Sequence, residues 1–231
     1  MKTLITLLIA LVVIPATQAS LMTVTNMPPV VDGDDIAQLT GTVDIGGNQG
    51  HVWNNRPRQG QGFTTGSNAG GYLLDAITIR AQVNQTGGTT APMWEIRVGS
   101  VDGSDNFTAV RTETATGVFL PLSNGGNNFP NWVTWTLDTP LVLNPSTLYG
   151  FDVYPNGGGY ISLNSNADPY NGGTAFSSGS PGSATYPVNP LTLHAGADRV
   201  FHLNLQAIPE PGTGSFLLVG AVALCAWRKR K

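Results

Sequence analysis

Three carboxylates lie close together near the start of the chain, at Asp32, Asp34 and Asp35. Hard cations such as Ca²⁺ prefer oxygen ligands that are clustered in this way. The cluster does not follow the spacing of an EF-hand loop, because Ile36 stands where that loop needs an oxygen ligand. We therefore expect solvated turn acids here and no cofactor, with a structural calcium ion bound by these acids as the weaker alternative.

A second set of residues could bind a carbohydrate. Tryptophan combines a broad apolar ring with a polar edge, which suits it to stacking on a sugar beside amide and guanidinium groups. Trp53, Asn54 and Arg56 offer these groups together, and Trp132 is expected on the polar face of a strand. The alternative is that both tryptophans cover the ends of the hydrophobic core.

The sequence contains no catalytic motif that we can identify. It has neither the His-Glu-x-x-His pattern of zinc peptidases nor the Gly-x-Ser-x-Gly turn of α/β-hydrolases. The single cysteine, Cys225, lies near the C-terminus, so the preceding domain has no thiol nucleophile and no disulfide. A catalytic pair of carboxylates for glycoside hydrolysis is left as an alternative, because the two members of such a pair meet only in the folded chain. The candidates are Glu95, Glu113, Asp138 and Asp152.

Alternating apolar and polar residues predict the strands that would position these groups. Segments with this period occur at residues 77–83, 94–98, 132–137, 151–153 and 201–206. Each has one apolar and one polar face, as antiparallel strands packed in two layers require, and His202 is expected on a polar face. We therefore predict an all-β domain, a jelly-roll-like antiparallel β-sandwich of about eight to ten strands, with an open solenoid as the alternative.

The charge of residues 20–208 excludes several classes of partner. This segment contains six arginines, no lysine and 13 acidic residues, which gives a net charge of −7. An acidic surface without lysine argues against nucleic acids and anionic lipids as partners. The length of the segment fits one domain rather than two.

The N-terminus has the features of an export signal. A basic residue, Lys2, precedes an apolar run at residues 4–14, and Thr17, Gln18 and Ala19 form an acceptable cleavage site. We predict that residues 1–19 are a signal peptide and that cleavage follows Ala19. An uncleaved anchor is the alternative.

The C-terminal residues 209–231 combine three elements. Pro209, Glu210 and Pro211 come first, and an uncharged, largely apolar run follows at residues 212–227. As a helix this run would be about 24 Å long, slightly shorter than the hydrocarbon core of a bilayer. The final basic cluster would stay on the cytoplasmic side. It consists of Arg228, Lys229, Arg230 and Lys231. We predict a transmembrane helix whose length suits transient anchoring, with a buried core helix as the alternative.

These three elements in this order resemble the PEP-CTERM sorting signal of bacterial exported proteins. The resemblance implies that Pro209, Glu210 and Pro211 are recognised by an exosortase, a membrane transpeptidase that cuts near them. Residues 61–66, 70–74 and 141–151 look like parts of the choice-of-anchor domains that precede such tails. That second resemblance implies a β-sandwich and brings no activity with it.

The sequence as a whole predicts an exported protein that is sorted to the envelope. It would cross the inner membrane, be held there by its C-terminus before processing, and then reach the cell surface or the extracellular matrix. We expect a non-catalytic structural or interaction domain associated with exopolysaccharide or biofilm, which the PEP-CTERM resemblance favours. A lectin-like glycan-binding module is the main alternative, and a polysaccharide-active enzyme is a further one. The expected partners are an exosortase, the membrane and a polysaccharide, but no nucleic acid.

Overall fold

The computed structural model describes residues 19–41, 58–84, 93–116, 131–156, 159–162, 164–165, 170–178 and 189–210. The regular elements within these ranges are all strands. The first seven are β1 (Ala19–Thr25), β2 (Ile36–Gln38), β3 (Arg58–Thr64), β4 (Tyr72–Asn84), β5 (Met93–Val101), β6 (Phe107–Thr116) and β7 (Asn131–Leu143). The others are β8 (Leu148–Asn156), β9 (Gly159–Ser162), β10 (Asn164–Ser165), β11 (Ala175–Ser178), β12 (Thr192–Leu193), β13 (Asp198–Arg199) and β14 (Phe201–Ala207).

Most of these strands belong to one mixed sheet. Its order is β12-β11-β3-β8-β5-β6-β1-β7-β4-β14-β2, with β9 paired to β4, while β10 and β13 form a separate pair. The described pairs are antiparallel except β1 with β6, which run parallel. β1 therefore lies in the middle of the sheet, between β6 and β7, although it comes first in the chain.

The sheet curves until its two halves pack against each other. β8 and β14 are six strands apart along the sheet, which would separate them by roughly 29 Å if the sheet were flat. The rings of Phe151 on β8 and Phe201 on β14 nevertheless lie 5.9 Å apart. Trp94 on β5 and Trp135 on β7 contact each other in the same way, at 5.4 Å. One hydrophobic core thus fills the space between the two halves.

The apolar faces that the sequence predicted are the ones that form this core. Phe201, Leu203 and Leu205 of β14 are buried, as are Trp135 and Leu137 of β7. Burial of such side chains contributes about 1.5–3 kcal/mol each, so this alternating pattern supplies much of the stability of the fold. The all-β prediction is confirmed for the described residues. The strand order is that of an open mixed sheet, and the jelly-roll arrangement is not confirmed.

Four side chains that the sequence placed on polar, solvent-facing positions are buried, and that part of the prediction is wrong. As whole residues, Trp132, His202, Arg97 and Asp152 are each at most 5% exposed. The reason is that loops and short strands cover parts of the outer face of the sheet. Arg97 lies over the ring of Phe107, and Trp132 packs in a small cluster away from the main core.

Two turns hold the ends of neighbouring strands. Residues 102–106 join β5 to β6 through a hydrogen bond from the Asp105 amide to the Asp102 carbonyl (3.0 Å). Ser146, in the turn before β8, has a positive φ of 47°, and its amide donates to the carbonyl of Gly66 (2.7 Å). These bonds fix the ends of long strands. The register of those strands determines which side chains face the core.

The predicted terminal segments fall mostly outside the described residues. Residues 1–18 of the predicted signal peptide, Pro211, the apolar run 212–227 and the basic cluster 228–231 are not described. Strand β1 begins at Ala19, and Ser20 is 5% exposed. The predicted cleavage after Ala19 would therefore leave the rest of β1 in the sheet.

Candidate functional site

The described part of the sorting sequence lies against one turn of the domain. β14 ends at Ala207, and the amide of Ile208 then donates to the carbonyl of Gly71 (3.0 Å). The side-chain amide of Asn68 donates to the carbonyl of Ile208 (2.9 Å) and to that of Gly71 (2.7 Å). One asparagine therefore joins the exit of the last strand to the turn that precedes β4.

Glu210 continues the same contact. Its carboxylate accepts a hydrogen bond from the amide of Ala69 (3.2 Å), and Pro209 and Glu210 are both exposed. Gly70 has no room for a side chain, since a Cβ atom would lie 2.4 Å from the carbonyl oxygen of Ile208. The start of the sorting sequence is thus presented at the surface in a defined position. No signal in the sequence pointed to Asn68, because its partner is 140 residues away.

Two of the three candidate calcium ligands, Asp34 and Asp35, accept hydrogen bonds from backbone amides. Asp35 accepts from the amides of Asp32 and Leu205, both at 2.8 Å, and from the ring of His202 at 2.8 Å. Asp34 accepts from the amide of Ala207 (3.1 Å). Within the part of the chain that the structure describes, no group of three metal-binding side chains is found. Asp34 and Asp35 thus tie the loop before β2 to β14.

The protonation of Asp35 should make this contact sensitive to acid. Burial alone would raise the pKa of Asp35, but its bonds to the amides of Asp32 and Leu205 and to His202 outweigh burial and lower it below 3.8. A lowered folded-state pKa adds stability above the unfolded value, and this stability is lost as the pH falls through the folded value.

We expect the stability advantage of the natural protein over the Asp35→Asn variant to be largest near neutral pH. It should shrink as the pH falls below about 4, because the carboxylate is then protonated in the unfolded chain and next in the folded one. Urea unfolding of both proteins at a series of pH values measures the difference. An advantage that is equal at about pH 6 and about pH 3 would contradict the assignment.

A cleft of about 500 Å³ opens beside this loop. It is lined by residues 33–37, Thr64, Gly66, Tyr72, Tyr170 and Gly172. The hydroxyl of Tyr170 accepts a hydrogen bond from the amide of Thr64 (3.2 Å), and its ring packs edge-on against Phe201. Burial raises the pKa of Tyr170, so the phenol stays protonated at neutral pH. The cleft therefore combines aromatic rings with hydroxyl and carboxylate groups.

The structure describes only one of the four predicted glycan-binding residues. Trp53, Asn54 and Arg56 lie outside the described residues. Trp132 packs on Val200 and Leu39, and the guanidinium of Arg80 lies 5.6 Å from the centre of its ring. A ring that is covered on these sides is not presented for stacking on a sugar. The glycan-binding role of Trp53, Asn54 and Arg56 stays a prediction.

Replacing Trp132 with alanine should destabilise the fold. We expect a loss of about 3 kcal/mol in the free energy of unfolding, because a large buried side chain is removed and leaves a cavity. Denaturant unfolding measures it, with Trp132→Phe as the matched control, for which the loss should be smaller. Equal stability of Trp132→Ala and the natural protein would mean that the indole is exposed.

Two of the four candidate carboxylates, Glu113 and Asp152, are held in internal pairs. Glu113 accepts from Arg111 (2.8 Å) and from the amide of Asp138 (3.1 Å), and Asp152 pairs with Arg97. The sequence did not predict a further contact, in which the Ser177 hydroxyl lies 2.7 Å from the Nε2 atom of His194. Burial and the nearby Arg199 lower the pKa of His194, so its ring is neutral at neutral pH. Ser177 is 6% exposed.

Comparison with known proteins identifies one segment. Residues 207–231 match the PEP-CTERM protein-sorting motif. No curated protein and no solved structure shows significant similarity to the chain, so the resemblance to choice-of-anchor domains is not confirmed. Among the residues that the structure describes, no helix is long and apolar enough to cross a membrane. The chain thus carries a motif that implies an exported protein processed by an exosortase.

Proposed function

We propose that this protein is delivered to the cell surface or the extracellular matrix, where residues 20–208 act as a non-catalytic structural or interaction domain in exopolysaccharide. The apolar run 212–227 anchors it in the membrane before an exosortase cuts near Pro209, Glu210 and Pro211, and the basic cluster stays inside the cell. One observation carries the proposal. The sorting motif begins where β14 ends, and its first residues lie exposed on a turn of the folded domain.

The sorting part of the proposal can be tested in cells that contain an exosortase. Replacing Pro209, Glu210 and Pro211 with alanine should abolish removal of the tail, because the recognised segment is lost. Mass spectrometry of the C-terminus and cell fractionation give the result, with Pro140→Ala as the control for losing an exposed proline elsewhere. Natural protein that reaches the surface with its tail intact would overturn the proposal.

A glycan-binding role is a second candidate, and the cleft beside the 33–37 loop favours it. Tyr170 offers a half-buried aromatic ring there, while Thr64 and Asp34 offer hydrogen-bonding groups. The same cleft gives no support to a polysaccharide-active enzyme, for which a catalytic carboxylate pair would have to be shown.

Filling the cleft tests this second candidate. Gly33 lines it, and a side chain at that position would meet no atom within 4 Å. Gly33→Tyr should therefore fold normally and weaken binding of the protein to immobilised exopolysaccharide. Gly103→Tyr is the matched control, because Gly103 also has open space around it and lies in the β5–β6 turn. Equal binding by both variants and the natural protein would rule out the cleft as the binding site.

A further inference from the structure

An exposed apolar loop precedes the Asp32–Asp35 turn. It consists of residues 26–31, and we refer to it as the apolar loop. Met27 is 71% exposed, Val30 81% and Val31 47%, and Pro28 and Pro29 lie between them. Single exposed apolar residues are common, but three large ones within five residues of a small domain mark an interaction surface.

The exposed apolar loop is held by hydrogen bonds at its two ends. At its start, the Thr25 hydroxyl donates to the carbonyl of Met27 (2.9 Å). At its end, the amide of Asp32 donates to the Asp35 carboxylate (2.8 Å), and the amide of Asp35 donates to the Asp32 carbonyl (3.2 Å). The loop is therefore held at both ends while its apolar side chains face outward.

The position of the loop relative to the C-terminal exit indicates its partner. Asp34 and Asp35, three and four residues after the loop, accept hydrogen bonds from the amides of Ala207 and Leu205, in the last part of β14. Only residues 208–211 separate Ala207 from the apolar run 212–227. Five residue steps span at most about 18 Å. Any bilayer that holds the apolar run thus lies close to the apolar loop.

We propose that the apolar loop docks into the headgroup region of the bilayer that holds the unprocessed protein. This inference rests on the proposed membrane anchoring of residues 212–227. Methionine, valine and proline side chains without charge suit shallow burial at that depth. The partner is a bilayer of neutral headgroups, because the domain carries a net charge of −7 and Asp32 beside the loop is exposed. The loop fixes the orientation in which the domain meets the membrane and its processing enzyme.

The test uses the full chain in phosphatidylcholine vesicles. Cys225 is first replaced with serine, and an environment-sensitive fluorophore is attached at Val30→Cys. The matched control carries the label at Ser104→Cys, an exposed turn position between β5 and β6. We expect about twofold or greater quenching by spin-labelled lipids at position 30 relative to position 104. Adding Met27→Ser and Val31→Ser should reduce the quenching at position 30.

Flotation of the same samples distinguishes docking of the apolar loop from anchoring of the chain by its tail. If the chain floats with the vesicles but both positions are quenched equally, the apolar loop does not dock and anchoring by the tail still stands. If quenching at position 30 does not change with Met27→Ser and Val31→Ser, the fluorophore rather than the loop causes it, and the inference is wrong. If the chain does not float at all, both the anchoring and the docking of the loop are overturned.

Discussion

The Arg97→Ala variant is expected to lose about 3–5 kcal/mol of unfolding free energy, the largest effect that we predict for a charged residue. Arg97 and Asp152 face each other on the adjacent strands β5 and β8, with the Nε atom of Arg97 3.0 Å from a carboxylate oxygen. The side chain of Asp152 is fully buried, and that of Arg97 is 6% exposed. Removing the guanidinium takes away the positive charge that faces a buried carboxylate, which is more costly than the pair itself is stabilising.

A double replacement distinguishes the interaction between the two charges from the effect of changing each residue alone. Arg97→Met with Asp152→Leu removes both charges and keeps apolar volume, so it should be more stable than either single variant. Urea unfolding of the single and double variants gives the four free energies that the comparison needs. If the two single losses simply add in the double variant, the two charges do not stabilise each other.

Replacing Trp135 with alanine should have an effect of similar size. Its side chain has no exposed surface, and it packs against Trp94 from the opposite half of the curved sheet. Removing it leaves a large cavity between the two halves, for which we expect a loss of about 3–5 kcal/mol. Denaturant unfolding measures the loss.

The next residue along β7 provides the control. Thr136 is exposed, and its replacement with alanine should change the free energy of unfolding by less than about 0.5 kcal/mol. The contrast between neighbouring positions tests the orientation of the strand, because a slip of one residue would exchange the two side chains. A larger loss of unfolding free energy for Thr136→Ala than for Trp135→Ala would therefore mean that the register described for β7 is wrong.

The parts of the fold that the sequence predicts are the local ones. Alternation identifies Phe201, Leu203 and Leu205 as core residues because a strand turns successive side chains to opposite faces. It cannot show what covers the second face. His202 contacts Asp35, which lies 167 residues earlier and is brought to the imidazole by the pairing of β2 with β14. Strand order is non-local in the same way, so the mixed sheet was not foreseen.

The same distinction holds for the candidate sites. The sorting motif is predictable because its elements are contiguous in the chain, and the match to residues 207–231 agrees with that prediction. The turn on which the motif begins is not predictable, because Asn68 carries no pattern of its own. The cleft beside the 33–37 loop is likewise built from three distant segments. Its tyrosines have ordinary sequence surroundings, so only the folded chain brings them together.

The central place of β1 has a consequence for the timing of folding. Thr25 pairs with Trp132, 107 positions later in the chain, and Ala19 pairs with Thr114. A polypeptide that leaves the cell with its N-terminus first must keep this strand unpaired until both neighbours have emerged. In a chain exported in this way, completion of the sheet would wait for translocation, and the chain would stay unfolded enough to pass through the membrane. The same delay exposes an unpaired strand to aggregation for as long as transport lasts.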